Sequence, residues 1–285
     1  MKTDLLPVPG AVLYYEVRGA GPVLLLVCGG VYDAAGYAPL AERLADRYTV
    51  VTYDRRGNSR SPLDRAGEPQ RLDEHADDAA RLLAAVGVST EHPAYVFGNS
   101  SGGQIAVALT TRYPQLVRAA VIHEPPQFDL LPDRDHFAKM IDDVEAAFAA
   151  DGPEAAQQVL AKGLDMGPGP TDEERVPGGS EAPAEPDAAT LEMMERIGGN
   201  FVQFIGSEVP SFGRYRIDLD ALRPHRHKLV PAVGSASAGE PPARAAVALG
   251  EAVGVEAVVF PGDHGGFGNQ AEPFAEVLDT VLRAA

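Results

Sequence analysis

FGNSSGGQ, residues 97–104, sets two adjacent serines among glycines, between the apolar run AYVFG (94–98) and the segment GGQIAVALTTRYP (102–114). The first run reads as a buried strand and the second as a helix ended by Pro114. The cluster is therefore a turn from strand into helix, and Gly, Ser and Asn suit an ordinary turn as well as a reactive one. Spacing separates the two serines. A strand that turns sharply into a helix crowds the positions two residues either side of its apex, so both must be small. Ser100 has Gly98 and Gly102 there, whereas Ser101 has Asn99 and Gly103. Ser100 is thus the nucleophile candidate, and Ser101, opening the helix, offers its backbone N–H.

The same alternation surrounds the cluster. LLPV and AVLYYEVR, split by Pro9-Gly10, read as a hairpin. PVLLLVCGG (22–30) is apolar throughout, as a strand covered on both faces of a parallel sheet must be. A helix over 37–48, the strand TVVTYD (49–54) and an amphipathic helix over 71–87 follow. In that helix Leu72, Ala76, Ala79 and Leu83 share one face, with Asp73, Glu74, Asp77 and Asp78 outside. The strand VRAAVIHE (117–124) ends at Pro125-Pro126, and the pattern then changes: 134–165 and 188–209 read as helices. Between them, 166–190 is rich in Pro, Gly and acid, the composition of a loose lid. Strand and helix resume with 228–234, 240–253, 255–260 and 271–284. The expected fold is a doubly wound, mostly parallel α/β sheet with an inserted helical cap, the core being 1–126 and 222–285 and the cap 127–221.

Composition bounds the partners. The chain of 285 residues has room for one large domain with an insertion. Its formal charge of −17, offset by no Lys/Arg-rich run, argues against nucleic acid and anionic membranes as partners. The N-terminal stretch MKTDLLPVPG has no continuous apolar core of a signal peptide, and the longest apolar run, VLLLVC (23–28), is too short to span a bilayer. A single cysteine, Cys28, forbids an internal disulfide and fits a reducing, cytoplasmic setting. A homodimer is left open.

With YDRRGNSRS (53–61) and PGDHGGF (261–267), the elbow gives the chain a resemblance to the α/β-hydrolase superfamily over nearly its full length. The resemblance implies a serine hydrolase with a triad and no cofactor or metal. Of seven histidines, His264 alone follows a late strand in a Gly-rich loop, where the family carries its base. His75 lies in the acidic helix, His92 in a loop, His136 at the start of a cap helix, and His123 on a strand beside Glu124. His225 and His227 form an H-x-H pair with no third ligand nearby. The commoner family pattern sets an Asp after the strand that here reads LVPAVG, but Ser235 and Ser237 stand there, and a hydroxyl cannot stabilise an imidazolium as a carboxylate does. Some members take the acid from the strand before the cap, which makes Glu124 of VIHEPP the candidate and Glu240 the alternative; Asp263 adjoins His264 and diverges from it. For the oxyanion, the family pattern implies the N–H of Ser101 and that of Gly30, with Val31 as the fallback. Cys28 replaces the usual His and reads as a buried strand end.

GNSSGG, HEPP and PGDHGGF are also similar to the zearalenone lactonases, which use a cap Trp that this chain, with no Trp, lacks. The implied substrate is a small to medium apolar ester or lactone. A receptor-like ligand-binding protein, or a cofactor-free perhydrolase or haloperoxidase-like enzyme, would carry the same triad. Phe137, Met140, Met193, Met194, Phe201, Phe204 and Phe212 suggest an apolar pocket under the cap.

Overall fold

The structure, a computed structural model, describes residues 1–65, 67, 69–164 and 188–285. The segment 166–190 lies outside these residues, apart from the last three, which open a helix. Eight strands form one sheet in the order β1-β2-β4-β3-β5-β6-β7-β8. They are β1 (Lys2–Val8), β2 (Ala11–Arg18), β3 (Val23–Val27), β4 (Thr49–Tyr53), β5 (Ala94–Asn99), β6 (Val117–His123), β7 (Leu229–Gly234) and β8 (Val258–Phe260). The β1–β2 hairpin turns at Pro9-Gly10 and β2 pairs antiparallel with β4; every pairing from β4 through β3 to β8 is parallel. From β3 the chain steps out to β4 and then returns to the other side as β5. That reversal opens a crevice at the carboxyl ends of β3 and β5.

Both faces of the sheet are covered, which is why its central strands are mostly apolar on both sides, β3 at every position. Leu25 and Val27 pack on one side with α2 (Leu72–Ala85), α3 (Ser101–Arg112) and Leu249 of α9 (Pro241–Val253). Leu24 and Leu26 pack on the other with α1 (Ala38–Leu44) and α11 (Ala271–Ala284). Between β6 and β7 lie α4 (Arg134–Asp151), α5 (Pro153–Gly163), α6 (Ala188–Gln203), α7 (Val209–Gly213) and α8 (Leu219–Leu222). Phe128, Phe137, Met140, Ile141, Ile205 and Val209 give this cap a core of its own, which also touches Ala245 of α9. A short α10 (Gly266–Asn269) follows β8. No helix among the described residues is long and apolar enough to cross a membrane.

The helical stretch expected after Pro125-Pro126 forms as two helices, Arg134–Asp151 and Pro153–Gly163, parted by Gly152 at φ 87°. Two expectations are corrected. The last strand is three residues rather than six, since β8 is an edge strand that pairs with β7 only at Val258, Val259 and Phe260. Asp78 is buried, not outside: Arg56 grips it with Nε on Oδ2 (2.7 Å) and Nη2 on Oδ1 (2.9 Å). A bidentate cation offsets the lost hydration of the carboxylate, so helical periodicity alone misassigns it.

Candidate active site

The turn after β5 is as tight as its glycines require. Ser100 stands at φ 54° and ψ −129°, a backbone region that non-glycine residues seldom occupy. A methyl group on Gly98 would strike the Gly102 carbonyl, and one on Gly102 would strike the carbonyl of Val27. The Ser100 N–H donates to the His123 carbonyl (2.9 Å), anchoring the apex to β6.

One strand over, Glu124 also departs from ordinary backbone, at φ 47°, and its side chain is fully buried. Oε2 accepts from His264 Nδ1 at 2.7 Å, and Oε1 accepts the Gly234 N–H at 2.7 Å. Burial alone would raise the Glu124 carboxyl; the His264 bond, the nearby His123 and the Gly234 N–H outweigh it and hold the group below its ordinary range. The end of β7, where an Asp was missing, thus supplies a backbone donor to a carboxylate from β6. Glu240 is exposed at the start of α9, on the cavity wall. Asp263 turns away to accept from Gly265 N–H (2.9 Å) and Asn269 Nδ2 (3.2 Å), shaping the His264 loop. Ser237 is buried, and its hydroxyl has no partner among the described residues.

Two buried neighbours, Asn99 and His123, were given no part in the site by the sequence reading. Asn99 Nδ2 donates to His123 Nδ1 (3.0 Å) and to the His264 carbonyl (3.1 Å), tying the histidine loop to the elbow. His123 sits among Phe97, Phe260 and Phe274, and burial pushes it down to about 4, so it is neutral near pH 7. The only sequence signal for Asn99 is a polar residue closing an apolar strand. His75 is buried too, bonded to Gln70 Oε1 (2.8 Å) and edge-on to Phe212 of the cap.

At the end of β3, Gly30 adopts φ 53° and its N–H donates to Ser101 Oγ (2.9 Å). The second serine of the pair therefore touches the loop through its hydroxyl as well as presenting a helix-terminal N–H. Cys28 lies fully buried below, its thiol pushed well up by desolvation, which leaves it a poor nucleophile. Phe267 stacks on Tyr37 (4.4 Å between ring centres) and meets Tyr32 edge-on, packing the histidine loop against this one.

Ser100, Ser101, Gly30, Val31 and His264 all border one cavity of about 490 Å³. Its roof is apolar: Met140, Phe204 and Phe212 line it as expected, joined by Phe128, Ile141 and Leu160. Phe137 instead stacks on Phe128 within the cap core, and Met194 faces solvent.

A family model described as alpha/beta hydrolase fold matches residues 22–164. The chain belongs to this family. It is 36% identical over 283 residues to the protein named uncharacterized hydrolase YraK of Bacillus subtilis (strain 168), spanning 97% of this chain and 94% of that one. Among solved structures, a thermophilic esterase from Thermogutta terrifontis, with malate bound, is similar at a TM-score of 0.72 and 19% identity, covering 100% of this chain and 99% of that chain. The enol-lactonase from Burkholderia xenovorans LB400 is similar at 0.65 and 16% identity, covering 98% and 100%. At these identities the two likenesses show the fold alone.

Proposed function

We propose that the protein is a serine hydrolase of neutral, apolar carboxylic esters or lactones, with Ser100 as nucleophile, His264 as base and Glu124 as the orienting acid. The observation that carries this reading is the 2.7 Å bond from His264 Nδ1 to the buried Glu124, beside a serine in strained elbow geometry at one cavity. A carboxylate on Nδ1 keeps that nitrogen protonated and turns Nε2 outward as a base.

Ser100 Oγ attacks the ester carbonyl while Nε2 of His264 takes its proton. The resulting oxyanion is held by the Ser101 N–H and by the loop at Gly30, where the N–H now bonded to Ser101 Oγ must pass to the oxyanion, or the Ser101 hydroxyl must meet it. His264 returns the proton to the departing alcohol oxygen, leaving an acyl group on Ser100. Water, deprotonated by the same nitrogen, then releases the acid and restores the serine. Glu124 stabilises the imidazolium in both steps.

The cavity supports the substrate class. Its described lining residues include no Lys or Arg, and their carboxylates are those of Glu208 and Glu240. A substrate carboxylate would find no counter-charge there, on a chain that already carries −17. The names of the similar esterase and enol-lactonase agree with ester-type substrates. The test is hydrolysis of p-nitrophenyl butyrate and of simple neutral lactones by the wild type and Ser100→Ala. Turnover lost in the variant supports the reading; ligand uptake without turnover in the wild type would make the protein a binder instead.

A further inference from the structure

Among the described residues, three polar contacts join the cap to the loop after β3, the last by way of Arg55. Arg196 Nε of α6 donates to Asp33 Oδ2 (2.8 Å). Asn200 Nδ2 donates to the Val31 carbonyl (2.9 Å), while its Oδ1 accepts the Ser59 N–H (2.6 Å). The third point is a buried ion pair. Arg55 Nη1 meets Glu208 Oε2 at 2.6 Å, and Arg55 Nη2 donates to the Gly30 carbonyl at 2.6 Å. Arg55 is fully buried, and Glu208 closes the π-helical turn Phe204–Glu208 on the cavity wall.

Stability alone is a weak reason for such a pair. Two buried charges lose their hydration, and an apolar pair of similar volume usually stabilises a fold as well. Here Arg55 Nε and Glu208 Oε1 have no hydrogen-bond partner among the described residues, so part of that loss is not recovered. What the pair does supply is direction. The Gly30 carbonyl and the Val31 N–H share one rigid peptide plane, so fixing the first fixes the second. Gly30 at φ 53° has no side chain to restrain it, and among the described residues no atom beyond its own chain neighbours stands within 4 Å of where a Cβ would be. A glycine loop in open space needs an external tether to hold a donor still.

We propose that Arg55 is a positioning residue: seated by Glu208 of the cap, it clamps the Gly30 carbonyl and so holds the Val31 N–H, this loop's second candidate donor beside the Gly30 N–H, in place for the oxyanion. Seating of the cap and completion of the oxyanion site are then one event. The inference rests on the serine-hydrolase reading above, and its test has an arm that does not.

Arg55→Lys keeps a cation opposite Glu208, but a single ammonium lacks the planar fork that reaches carboxylate and carbonyl together. With p-nitrophenyl butyrate its kcat is expected to fall about ten- to hundredfold, the scale of a donor displaced by an ångström, with KM and melting temperature close to wild type. A wild-type kcat in a folded Arg55→Lys overturns the proposal, since a merely structural pair would be satisfied by lysine. The double variant R55M/E208M removes both charges and leaves neither orphaned, so the fold is expected to survive. It should show the same kcat loss, and amide hydrogen exchange across residues 28–33, read by mass spectrometry, should be about tenfold faster or more. Exchange as slow as in the wild type overturns the clamp. Because exchange needs no substrate, it decides on the clamp even if the wild type turns over no ester, a result that would end the hydrolase reading instead.

Discussion

Ser100 and Glu124 stand in left-handed backbone, at φ 54° and 47°, immediately beyond the paired residues Asn99 and His123 of two adjacent parallel strands. Each such non-glycine conformation costs of order 1–3 kcal/mol and persists only where its surroundings over-determine it. Here they do. The Ser100 N–H is held by the His123 carbonyl (2.9 Å) and the Glu124 N–H by the Ala232 carbonyl (3.0 Å). Of these two strained residues on neighbouring strand ends, Ser100 borders the cavity and Glu124 reaches the His264 ring that borders it too.

Glu124→Gln keeps the shape of the side chain but removes the anion opposite His264 Nδ1. Its kcat is expected to fall by about 10³- to 10⁴-fold while the protein stays folded, following the loss seen when a protease triad loses its carboxylate. Glu240→Gln, at an exposed residue on the cavity wall, should stay close to wild type. Steady-state kinetics beside melting temperatures check both; the reverse ranking would move the acid to the later strand.

Gly102→Ala tests the elbow's packing without touching a reactive group. The added methyl would meet the backbone of Val27 and Cys28, which cannot rotate aside as a side chain does. Destabilisation at or above the usual overpacking range of about 1–3 kcal/mol is expected in urea unfolding. A variant as stable as wild type would mean that the turn is looser than described.

Burial lowers His123 from an ordinary 6.5 to about 4, so between those pH values the unfolded chain takes up a proton that the folded chain refuses. Stability therefore falls as pH drops through this window, by about 3 kcal/mol in total for this one group. The lowered Glu124 adds a loss in the same direction at more acidic pH, as its carboxylate is protonated. His123→Phe should flatten the profile between pH 6.5 and 4 relative to wild type. Parallel profiles for the two proteins would show that His123 does not titrate as its burial demands.

The elbow and the central strands were legible because their signals are local. Glycine two residues either side of Ser100 answers a contact within one turn, and an unbroken apolar run answers burial on both faces. Glu124 was legible as a candidate from an apolar strand ending in HEPP together with the Ser235 and Ser237 that replace an Asp. What escaped is carried by contacts between distant segments. Arg55 and Glu208 are 153 positions apart, and Asn99 reaches the carbonyl of His264 across 165. Asp78 reads as a surface acid until Arg56 is brought to it from 22 positions away. No periodicity encodes such pairs.

On this reading Ser100, and not its neighbour, takes the acyl group. Wild type, Ser100→Ala and Ser101→Ala would each be mixed rapidly with p-nitrophenyl butyrate, with p-nitrophenol release followed and the acylated residue located by mass spectrometry. An acyl group on Ser100 is expected in the wild type, and only background release from Ser100→Ala. Ser101→Ala should keep turnover within about tenfold, because its backbone N–H survives and only the hydroxyl that meets Gly30 N–H is lost. Equal loss in both variants, or an acyl group found on Ser101, would contradict this reading.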